Sequence, residues 1–147
     1  MTIDPGANDL LTRSGAPSAK FPTIGTTCKG TVLGAEKTQQ TDIDGNLLTW
    51  DNGEPRWQVV ITVQTDDRDP DIEGDTGERR IFAKGQMLNA IKQALRDAKV
   101  TGLEVGGTIA VQYVSDGERK PGKSAPKQYA AQYKPAPAVS LGGGDLL

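Results

Sequence analysis

The sequence predicts an all-β domain with one helix, folded as a five-stranded Greek-key barrel. Three observations carry that expectation. Five segments have the alternation or β-rich composition of strands, one segment with a three-to-four-residue apolar period stands between the third and fourth, and Gly, Pro, Asn and Asp collect between them. At 147 residues the chain suits a single domain, one that buries roughly 68–70% of its unfolded surface.

Residues 1–20 are rich in Gly, Pro, Ser, Thr and Ala with no period. They read as a flexible N-terminal arm, with order beginning near Phe21. Residues 26–40 form a long first strand, and the shift of pattern at Gly34 marks a bulge. Asp44-Gly45 and Asn52-Gly53 signal turns, with Trp50 between them. Over 56–65, Trp57, Val59, Ile61 and Val63 alternate with Arg56, Gln58, Val60, Thr62 and Gln64, which assigns Trp57 to the core face. An acidic loop covers 66–78. The short strand 79–84 sets Arg79, Ile81 and Ala83 against Arg80, Phe82 and Lys84.

The period then changes. Met87, Ile91, Leu95 and Ala98, with Leu88 and Ala94 beside them, predict a helix over 85–100 that Gly102 stops. Its apolar stripe is expected to close one end of the barrel. Strand 108–114 alternates Ile109, Val111 and Tyr113, a basic loop spans 115–126, and strand 127–134 places Tyr129, Ala131 and Tyr133 together. Residues 135–147 are Pro, Ala and Gly rich and read as a disordered C-terminal tail. The order β-β-β-α-β-β over residues 21–134 matches the OB-fold barrel. A meander sheet with a packed helix is the alternative.

Composition removes most enzyme classes. With no histidine there is no Ser-His-Asp triad, Cys-His dyad or imidazole metal site. The single cysteine, Cys28, cannot form an internal disulfide, and a lone cysteine is more often a small packed side chain than a nucleophile. Asp69, Asp71, Glu73 and Gly74 fit the start of a calcium loop, but Arg80 stands where its last glutamate belongs; Asp42, Asp44 and Asn46 fail similarly at Leu47. The expectation is a non-enzymatic protein without cofactor or metal. No apolar run approaches the roughly 18–20 residues of a membrane span, and no signal-peptide pattern opens the chain, so a soluble, cytoplasmic protein is expected.

Charge is unevenly placed. Residues 1–78 hold 6 basic and 14 acidic side chains, a net −8; residues 79–134 hold 11 basic and 4 acidic, a net +7. Such asymmetry suggests a face for a polyanion. In an OB barrel, strands 2 and 3 and the loops joining strands 1–2 and 4–5 bind oligonucleotides. Arg80, Phe82 and Lys84 would put two cations around a ring on strand 3, the arrangement that pairs phosphates while a base stacks. The opposite orientation, with Phe82 in the core, remains open. Trp50 is a second stacking candidate or a loop anchor, and Arg56 is a further candidate DNA-binding residue. Arg119, Lys120, Lys123 and Lys127 form either a phosphate clamp or a solvated basic loop.

The segments Phe21-Pro-Thr-Ile-Gly-Thr-Thr27, Lys29-Gly-Thr-Val-Leu33, Thr49-Trp-Asp-Asn-Gly53, Gln64-Thr-Asp-Asp-Arg-Asp-Pro70, Gly77-Glu-Arg-Arg80, Lys84-Gly-Gln-Met87, Gly102-Leu-Glu-Val-Gly-Gly-Thr108 and Tyr129-Ala-Ala-Gln-Tyr133 form a pattern of blocks. Over roughly residues 15–134 the chain thereby resembles the single-stranded DNA-binding proteins of mycobacteriophages and related actinobacteriophages. The resemblance implies an OB-fold protein that coats viral single strands during replication or recombination in the host cytoplasm. It assigns no individual residue. The terminal Asp145-Leu146-Leu147 is partly similar to the acidic, hydrophobic tip by which bacterial single-stranded DNA-binding proteins dock on partner enzymes, which implies recruitment of replication or recombination proteins. Self-association through sheet edges is a further expectation. The rival readings are an OB-like adaptor that recruits replication proteins without touching DNA, and a metal-dependent nuclease.

Overall fold

The structure is a computed structural model describing residues 16–122 and 124–137. Strands β1 (Thr27–Gln39), β2 (Trp57–Gln64) and β3 (Glu78–Ala83) are followed by helix α1 (Gly85–Asp97) and strands β4 (Thr108–Asp116) and β5 (Lys127–Lys134). All five strands join one antiparallel sheet in the order β3-β2-β1-β4-β5.

The long first strand makes that order possible. Its first part, Thr27 to Thr31, pairs with β4, and its second, Thr31 to Gln39, pairs with β2. The register slips between Val32 and Gly34, at the bulge the sequence places there. Gly30 sits at the crossover, where a Cβ would lie 2.5 Å from the Gln64 carbonyl oxygen. A side chain there would push β1 away from β2.

Alternation turns Val32, Ile61, Val63, Ile81, Ile109 and Val111 into the core, where all six are fully buried. Each such side chain contributes about 1.5–3 kcal/mol relative to exposure. Helix α1 adds Met87, Ile91 and Ala94 as its buried line, while Leu88, Leu95 and Ala98 pack partly buried at its sides. The stripe is thus rotated slightly from the one expected through Leu95.

The helix also ends earlier than Gly102. Lys99 takes a left-handed φ of 60°, its N–H donates to the Arg96 carbonyl at 3.0 Å, and the Val100 N–H donates to Leu95 at 3.1 Å. This is a Schellman closure with lysine where glycine is usual. Nothing in composition marks a lysine for that role, so the sequence pointed to the next glycine instead.

The sheet is open: among the described residues no ladder joins β3 to β5. Five strands with one helix between the third and fourth are as expected; among the described residues they form an open sheet rather than the expected closed barrel. A short N-terminal segment lies along the β3 edge instead. The Arg80 N–H donates to the Pro17 carbonyl at 2.9 Å, and the Ala19 N–H donates to the Arg80 carbonyl at 2.8 Å. Two residues on, Phe21 is buried edge-on against Tyr129 of β5 at 5.5 Å, and Lys127 Nζ donates to the Phe21 carbonyl at 2.7 Å. Residues 17–21 therefore touch both edge strands. Residues 16–20, counted with the arm from sequence, run here beside β3; residues 1–15 lie outside the described residues.

Candidate nucleic-acid interface

The face of the sheet away from the core is built by register. Val60 pairs with Phe82 and with Glu36, and Thr62 pairs with Arg80 and with Gly34. Ile81 and Ala83 are fully buried, so the alternate residues Arg80 and Phe82 point the other way, each half-buried. Of the two orientations open for Phe82, the structure takes the outward one. The Arg80 guanidinium lies 5.4 Å from the Phe82 ring centroid, and its Nε donates to the Ala16 carbonyl at 2.8 Å. Lys84 follows, exposed, in the N-cap position of α1, without a side-chain capping bond.

The β1–β2 connection is tightly folded. Asp42 accepts the N–H groups of Asp44 and Asn46, both at 2.9 Å, and these bonds, Asn46 first, hold its carboxyl below the usual range. The Leu48 N–H donates to Gln40, and the Arg56 N–H donates to Leu48, so the chain doubles back between the two strands. Trp50 is 54% exposed, with the Arg56 guanidinium 4.4 Å from its ring centroid. Arg56 is oriented by an Nε bond to the Thr49 carbonyl at 3.1 Å.

Trp57 overturns an expectation. It lies on the core side of β2 by parity, yet it is 47% exposed. The β2–β3 ladder ends at Val59 and Ala83, so Trp57 stands on a two-stranded ribbon that outruns β3 and the core beneath it. Lys37 covers it, with Nζ 4.2 Å from the ring centroid. Sequence reasoning missed this pair, and the available signal was length: β1 and β2 are both longer than β3.

The β4–β5 loop divides the expected clamp. Arg119 and Lys120 are exposed, whereas Lys123 lies outside the described residues. Lys127 is exposed, but its ammonium is engaged by the Phe21 carbonyl and stands 4.9 Å from the Tyr113 ring centroid. The Tyr113 hydroxyl donates to Asp116, which raises its pKa. Asp145, Leu146 and Leu147 lie outside the described residues.

The acidic loop is organised from within. Asp75 takes two bonds from Arg79, both at 2.8 Å, and accepts the N–H groups of Asp69 and Gly77. The Arg79 bonds lead in holding the Asp75 carboxyl far below the usual range. Cys28 is buried, and desolvation, then the charge of Asp67, pushes its thiol up to about 11, so it is a packed side chain rather than a nucleophile. Among the described residues no three His, Cys, Asp or Glu side chains group to hold a metal, and no helix is long and apolar enough to cross a membrane.

Searches of protein-family models, curated proteins and solved structures find no match to this chain.

Proposed function

We propose that the chain is a non-enzymatic protein that binds single-stranded DNA with little sequence preference, on an OB-type barrel left open between β3 and β5. The strand order supports the barrel reading, because β1 shared between β2 and β4 and a helix between β3 and β4 are what that topology requires.

The binding reading rests on the outward pair of β3. Phe82 is turned away from the core with the Arg80 guanidinium beside its ring, so a π-face and a cation are offered together. A base needs the first and its phosphate the second. Trp50 with Arg56, and Arg119 with Lys120, lie on the two connections that carry oligonucleotide contacts in OB folds. The role that follows is coating of phage single strands during replication or recombination in the host cytoplasm. The Asp145-Leu146-Leu147 tip would recruit the partner enzymes.

The direct test is a titration of fluorescently labelled oligo-dT followed by anisotropy. The reading expects binding below ~10 μM at low salt, weakening as salt rises. Absence of binding in that range refutes it.

A further inference from the structure

We infer that Trp57 and Lys37 form a second platform for an unpaired nucleobase, on the ribbon beyond β3 and on the opposite side of the sheet from Phe82. This rests on the single-strand reading and extends it to residues that reading does not use.

The register places the pair. Gln39 faces Trp57 and Lys37 faces Val59, so Lys37 reaches diagonally across one face of the ribbon to the indole. Neither the buried core nor the partly buried residues around it include Trp57. Packing therefore does not explain a tryptophan that is 47% exposed. Its ammonium partner, 4.2 Å from the ring centroid, covers part of the indole and leaves the rest accessible. The preceding residue, Arg56, does the same for Trp50 at 4.4 Å. Both tryptophans of the chain thus stand exposed, Trp50 within the β1–β2 connection and Trp57 at its end, each with a cation against its ring.

An apolar protein surface would use the rings and leave the cations without a counter-charge. A nucleotide uses both, stacking its base on the indole and setting its phosphate near the cation. The same connection carries Asp42, Asp44, Asp51 and Glu54. Those charges oppose a contact led by phosphate and favour one led by the base. Base faces are exposed in an unpaired strand and hidden in a duplex, so the platform selects single strands.

Trp50→Phe leaves Trp57 as the sole tryptophan, and its emission then reports this site alone. With labelled oligo-dT, anisotropy measures occupancy while indole emission measures stacking. The expected result is a fall in Trp57 emission that tracks occupancy. An abasic deoxyribose-phosphate oligomer of the same length, bound at low salt, should leave emission unchanged. Trp57→Ala should weaken oligo-dT binding about 5- to 150-fold. Undiminished affinity in Trp57→Ala with constant Trp57 emission at full occupancy overturns the platform and leaves the single-strand reading standing. Equal quenching by the abasic oligomer overturns base stacking here. Failure of the unmodified protein to raise anisotropy overturns the underlying reading instead.

Discussion

Arg80 and Ala16 are joined by a 2.8 Å hydrogen bond from the arginine Nε to the alanine carbonyl, while the backbone of the same arginine pairs with Pro17 and Ala19. One short segment therefore fixes a candidate phosphate ligand and covers the exposed edge of its strand. Uncovered edges are templates for pairing with other chains, and here the cover comes from the chain itself.

Removing that cover has a measurable consequence. Ala19→Pro deletes the N–H that bonds the Arg80 carbonyl, and should cost about 1–3 kcal/mol in denaturant unfolding. Sedimentation should also show more self-association than in the parent. An unchanged unfolding midpoint with unchanged sedimentation would mean that β3 does not depend on residues 17–19.

Acid sensitivity should centre on the Asp75–Arg79 pair. The folded-state pKa of Asp75 is depressed, so its stabilising contribution is complete above the unfolded value near 3.8 and declines as pH falls below it. Asp75→Asn should be less stable than the parent at neutral pH, and the gap should shrink as pH drops below about 4. Urea midpoints for both proteins across that range provide the check. A gap that stays constant through the drop would show that Asp75 is not held charged by Arg79.

Helix α1 offers a gain. Lysine in the left-handed region carries a cost that glycine lacks. Lys99→Gly should therefore stabilise the protein by about 0.5–1 kcal/mol. Thermal melts of the two proteins decide it, and a lower melting temperature for the glycine variant would mean that the Lys99 side chain makes a compensating contact.

Much of the fold was readable because period is local information. The alternation through Val59, Ile61 and Val63 and the helical spacing of Met87 and Ile91 each follow from a few adjacent residues, and the structure places these side chains as the pattern requires. The bulge beside Gly34 was readable for the same reason. Length mismatch between neighbouring strands is not local. Trp57 has the parity of a core residue, and its exposure depends on where β3 stops. Lys127 similarly looks like part of a basic loop until tertiary folding brings the Phe21 carbonyl within reach. The left-handed Lys99 shows a third limit, since backbone conformation there is set by the closure of α1 and not by side-chain preference.

The most direct test of the central claim compares Phe82→Ala with Arg80→Gln in oligo-dT binding across a salt series. Phe82→Ala should lose about 1–3 kcal/mol of binding free energy while keeping the parent's salt slope, because it removes a stacking surface and no charge. Arg80→Gln should lower the slope by roughly one phosphate's worth, because it removes one cation. Binding by Phe82→Ala equal to the parent, or identical salt slopes for all three proteins, would contradict a single-strand site on the outward face of β3.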